Sequence, residues 1–91
     1  MPYIKSENRI QYDSLIEDVV DKLTDHGFTP LMPGELNYFI SSIVWKLYDK
    51  SPSYTKGNEL MGVIECVKME FYRRKLSKLE DEKIIENGDI L

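Results

Sequence analysis

A chain of 91 residues is sized for one domain, and its net charge of −4 argues against DNA or RNA as a partner. Its single cysteine, Cys66, excludes an internal disulfide and suits a reducing compartment. No run approaches the roughly 18 apolar residues of a membrane helix, and the opening MPYIKSENR lacks the apolar centre of a signal peptide. A cytoplasmic protein with no membrane partner is therefore expected.

The first predicted helix runs from about Gln11 to His26. Tyr12, Leu15, Ile16, Val19, Val20 and Leu23 fall at the three- and four-residue spacing of one apolar stripe. Asp13, Glu17, Asp18 and Asp21 lie off it, and Gly27 is a candidate C-cap. The stretch FTPLMPG, residues 28–34, reads as a loop, because its prolines and glycine stop helix on both sides. Pro33 and Gly34 then open a second helix, with Glu35 in the first turn, where the helix dipole favours an acid. Leu36, Phe39, Ile40, Ile43, Val44 and Leu47 form its stripe. Trp45 and Tyr48 stand off that stripe, and either face a partner subunit or wrap over the third helix.

The segment DKSPSY, residues 49–54, is the second break, with Ser53 as N-cap. A third helix is predicted from about Tyr54 to Leu79 or beyond, with Leu60, Ile64, Val67 and Phe71 as its stripe. Gly57 and Gly62 interrupt it, which points to a kink or a close helix approach. Residues 80–91 form a charged tail in which Asn87-Gly88 is a turn signal. Ile84, Ile85, Ile90 and Leu91 make that tail apolar enough to dock on this subunit or a neighbour. The expected fold is all-α: a single helical domain over residues 1–91, built as a compact three-helix protomer with a long third helix open to a kink. A chain this short hides only about 60–65% of its unfolded surface, so assembly into a homo-oligomer is a natural further source of stability.

Catalytic chemistry is poorly supported. Cys66 and His26 fall on different elements, and a lone helical cysteine reads as a small apolar filler. Glu17 and Asp21 have the i, i+4 spacing of helical nucleotide hydrolases that use magnesium. Glu59 and Glu65, however, project roughly 120° apart on the third helix. The acids of the first helix read most simply as its wet face. No cofactor, metal or enzymatic activity is expected. Charge is concentrated in one place: residues 68–78 carry Lys68, Arg73, Arg74, Lys75 and Lys78 against Glu70 alone. Such a patch is either a solvated helix face or an anion site.

The blocks YDSLIEDVVDKL (12–23), GELNY (34–38), GVIECVKMEFYRR (62–74) and EDEKIIENGD (80–89), in that order and spacing, resemble the phage anti-CBASS cyclic-oligonucleotide sponges. The likeness covers most of the chain, and its most specific parts are EFYRR and NGD. It implies small helical proteins that form hexamers, bind cyclic dinucleotide or trinucleotide messengers of bacterial immunity in the host cytoplasm, and leave them uncleaved. By that likeness Tyr12 stacks on a base. Gly34, Glu35, Leu36 and Asn37 form a ligand-contacting loop-to-helix junction whose N–H groups face a phosphate. Met69 and Arg73 belong to a second pocket, for trinucleotides, with Arg73 as its phosphate clamp. Three departures stand out. Glu35 occupies a position where some relatives carry lysine, the loop DHGFTPLMPG at 25–34 is longer than the family's, and KLED at 78–81 replaces a proline-containing block, so no proline stops the third helix there. The alternatives to a sponge are a helical protein-interaction module without a small ligand and a small magnesium-dependent nucleotide hydrolase.

Overall fold

A computed structural model describes residues 3–24 and 32–91, which are helix, turn or extended connection with no strand among them. The chain divides into two units, residues 1–50 and residues 51–91.

In the first unit a 3-10 turn, Ser6–Asn8, leads directly into α1, Ile10–Leu23. The helix closes on Val20, whose carbonyl accepts the Thr24 N–H at 3.1 Å and the Thr24 hydroxyl at 2.7 Å. That ends α1 three residues before the last one expected from periodicity. His26, the Gly27 cap and residues 28–31 of the predicted loop lie outside the described residues. The second helix, α2, spans Pro33–Lys50. Pro33 stands in its first turn, where the fixed φ of proline suits the helix and its missing N–H costs nothing. Glu35 in the first turn and Lys50 in the last complement the helix dipole.

The second unit is one continuous helical run. Ser53 has extended backbone, and its hydroxyl accepts the Lys56 N–H at 3.0 Å, the N-cap expected from sequence. From it α3 runs Tyr54–Phe71, passes through a π-helical turn at Tyr72–Leu76, and continues as α4, Ser77–Asn87. The third helix thus extends beyond Leu79, and most of the predicted tail is helical. Gly88, at φ 85°, ends it in a backbone region that only glycine occupies readily. Replacing Ser53 by Ala is expected to destabilise the start of α3 by about 1 kcal/mol. Faster amide exchange over the first turn, with the rest of the run unchanged, is the measurement.

The expected kink at the glycines is not found: α3 passes through Gly57 and Gly62 without a break. A Cβ on Gly62 would meet nothing within 4 Å, so no close approach explains it here. The irregularity sits ten residues further on, in the π turn, where the Ser77 N–H reaches back to the Tyr72 carbonyl. A π turn absorbs one extra residue. A spacing of eight across it therefore acts like the spacing of seven that returns to one face of an ordinary helix. Leu79 comes into line with Phe71 in this way, and Glu80 with Tyr72. The Tyr72 hydroxyl donates to Glu80 Oε2 at 2.6 Å across that interval.

No described residue is buried. For the second unit this follows from geometry, because a single helical run has no second element to lay against its stripe. Ile64 is 42% exposed, Val67 65% and Phe71 60%. Phe71 therefore does not face a core within its unit, and Cys66 is exposed rather than filling one. Ile90 and Leu91 are fully exposed. The stripes read from the sequence are real as helix faces, but nothing within the second unit covers its own.

Candidate functional site

A concavity of the first unit lies at its N-terminal end. The 3-10 turn reverses the chain so that Tyr3 and Ile4 return beside α1. Arg9 holds that reversal by donating from Nε to the Ile4 carbonyl at 3.1 Å. The result is an open hollow of about 300 Å³ lined by Tyr3, Ile4, Arg9, Tyr12, Asp13 and Ile16. Its walls are mainly apolar, with one guanidinium and one carboxylate on them. No partner holds the terminal nitrogens of Arg9 among the described residues. Two phenol rings and a guanidinium are what a nucleobase and its phosphate require: aromatic faces for stacking and a cation for the anion. Asp13 opposes an anion, so a phosphate would sit on the Arg9 side.

Of the residues singled out from sequence, Tyr12 lines this hollow, 47% exposed. Tyr3, Ile4 and Arg9 were not singled out. Their signal was weak, since the opening segment has no periodicity and its grouping depends on a reversal that sequence spacing does not reveal. Gly34, Glu35, Leu36 and Asn37 occupy the first turn of α2, as expected, but none lines the hollow. Their amides are not the free donors expected. The Glu35 and Leu36 N–H groups both donate to the Met32 carbonyl, at 3.1 and 3.2 Å. The Asn37 side-chain oxygen accepts from the Ser41 hydroxyl at 3.2 Å. With Glu35 itself anionic, this helix start is poorly prepared for a phosphate.

Met69 and Arg73 lie on the third helix, in the second unit. Met69 is exposed, at the end of α3, and Arg73 lies inside the π turn. Arg73 does not stand open. One terminal nitrogen bonds both oxygens of Glu70, at 3.2 and 3.0 Å. The pair is solvated on the Arg73 side, whose side chain is 70% exposed, so its contribution is small and a phosphate could displace the carboxylate. Beside it, the Tyr72 hydroxyl has its proton held by the bond to Glu80, and the negative charges of Glu80 and Asp81, with slight desolvation, act in the same direction. Its pKa is raised above the ordinary tyrosine value. The hydrogen bond therefore favours the folded state below the ordinary tyrosine pKa, and that contribution is lost as pH rises through the raised one. Alkaline titration of the tyrosine absorbance should show a late component from Tyr72, which Glu80→Gln moves to lower pH.

Among the described residues no group of three His, Cys, Asp or Glu side chains is placed to hold a metal ion. No described helix is long and apolar enough to cross a membrane.

The described residues are helical without strand, with an aromatic hollow in one unit and a basic π turn in the other. The chain belongs to the family described as Domain of unknown function (DUF6899), whose model matches residues 1–90. No curated protein and no solved structure matches it.

Proposed function

We propose that this protein captures cyclic dinucleotides or trinucleotides as a homo-oligomer, a hexamer by the resemblance noted above, and releases them uncleaved. Sequestration of such messengers in the host cytoplasm would silence CBASS-type antiphage signalling. The observation that carries the reading is the N-terminal hollow, where Tyr3, Tyr12 and Arg9 bring two aromatic faces and a cation to one place. At about 300 Å³ it is at the small end of ligand sites, which run from roughly 300 to 1,000 Å³. It suits one nucleotide of a ring, so the rest of the ring would be held by another copy. Tyr12 stacks on a base. Gly34, Glu35, Leu36 and Asn37 contribute shape rather than charge, since two of their amides are occupied. Met69 and Arg73 take the trinucleotide, with Arg73 exchanging Glu70 for a phosphate.

A panel of cyclic dinucleotides and trinucleotides, scanned for a rise in melting temperature, tests this reading directly. At least one ring should stabilise the protein in proportion to its concentration. Arg73→Ala should weaken a trinucleotide by about tenfold, the worth of one charge-assisted bond, and leave a dinucleotide unaffected. Indifference to every ring would favour the second reading, a helical interaction module. One observation supports that alternative: the apolar stripe of the third helix lies uncovered within its unit.

A further inference from the structure

Positions 74, 78, 82 and 86 recur every four residues through the π turn and α4, so they succeed one another along one side of the helix. They read Arg74, Lys78, Glu82, Glu86: two cations, then two anions. The larger pattern is the same. Residues 68–78 hold five cations and one acid, a net +4, and residues 80–89 hold five acids and one cation, a net −4. Within a lone helix this order is unfavourable at its end, because acids near a C-terminus oppose the helix dipole. The intrachain pairs nearby, Arg73 with Glu70 and Lys83 with Glu86, are solvent-exposed and weak.

We infer that this face is an isologous interface, and that its occupant is the same segment of a second copy running antiparallel. A two-fold axis near Glu80 sets Arg74 against Glu86 of the partner subunit, and Lys78 against Glu82 of the partner subunit. Symmetry repeats each pair. A parallel arrangement would set every charge of the row against its like, so the charges fix direction as well as partner. The overlap from Arg74 to Glu86 is about 18 Å long. Leu79, exposed and three residues before Glu82, flanks the row and adds apolar area. The π turn fits this role, since it keeps Leu79 in line with Phe71 along a surface that must meet one straight partner. The interface shares with the sponge reading only the premise of self-association, and needs no ligand.

The test is charge reversal by halves in the full chain, with particle mass measured by light scattering and helicity by circular dichroism. Arg74→Glu with Lys78→Glu makes the row uniformly acidic, and Glu82→Lys with Glu86→Lys makes it uniformly basic. Each variant alone should lose the contact and fall in mass by a factor of about two or more, since every cross-axis pair becomes a like pair. An equimolar mixture of the two should recover the wild-type mass, and so should the chain carrying all four reversals. Half-reversed variants that keep the wild-type mass would overturn the interface, as would a helical fourfold variant that fails to recover it. Nucleotide binding is read separately by melting temperature. An intact row in a protein that ignores every ring sinks the sponge and leaves the interface, and the converse result does the opposite. A monomeric wild type overturns both.

Discussion

Tyr12→Ala is expected to weaken cyclic dinucleotide binding by roughly 5- to 150-fold, the effect of removing one base–aromatic stack of about 1–3 kcal/mol. The ring lines the hollow and is about half exposed, so its loss removes a stacking surface without opening a core. Oligomer mass and melting temperature without ligand should stay near wild type. Tyr12→Phe separates stacking from hydrogen bonding, because the phenylalanine face stacks as well, and should restore most of the affinity. Isothermal titration of the three proteins against one ring is the measurement. Equal affinities for all three would remove Tyr12 from the site and leave the hollow without its base platform.

The second large effect is expected at Ile64→Asp. Ile64 sits in the middle of the α3 stripe with Leu60, Val67 and Phe71, and no element of its unit covers it. Ile64 is 42% exposed, so covering what remains contributes about 1 kcal/mol. Placing an unpaired carboxylate there costs several kcal/mol more, roughly the desolvation of one charge. The variant should therefore dissociate, lose helix content at low concentration and show a lower melting temperature. Asn58→Asp is the control, since it adds the same charge to α3 at an exposed position off the stripe. Sedimentation of the two variants separates a charge effect from loss of the contact. If Ile64→Asp kept wild-type mass and stability, the stripe would be a solvated face and assembly through it would be excluded.

The local signals in the sequence specified most of the helical architecture. Pro33 at the opening of α2, Ser53 as the cap of α3 and Asn87-Gly88 at the end of α4 each act through their own backbone neighbours, so their meaning does not depend on distant parts of the chain. The π turn was harder to read. Its trace is the interval from Phe71 to Leu76 and Leu79, where the three- and four-residue rhythm gains one residue. Gly57 and Gly62 are the more familiar source of irregularity, yet α3 runs through both. A helix tolerates isolated glycines at about 1 kcal/mol each, without bending.

The candidate site was legible only in part. Tyr12 enters the site through the family resemblance, since its spacing alone assigns it to the apolar stripe of the first helix. Arg9 and Tyr3 matter through a chain reversal held by one side chain reaching back to Ile4, which no spacing rule encodes. The amides at the start of α2 looked available because the first N–H groups of any helix lack intrahelical partners. Met32 occupies two of them from the residue just before the helix, a detail of backbone geometry rather than residue type. Arg73 stands on the third helix, as expected, but one of its terminal nitrogens is held by both oxygens of Glu70, three residues before it.

The most direct measurement is recovery of bound nucleotide. The protein is incubated with each cyclic dinucleotide and trinucleotide, separated from free ligand, and denatured, and the released nucleotide is identified by mass. Capture without chemistry predicts an intact ring released in fixed proportion to subunits. Linear products, or protein that emerges from every incubation with no nucleotide attached, would contradict it.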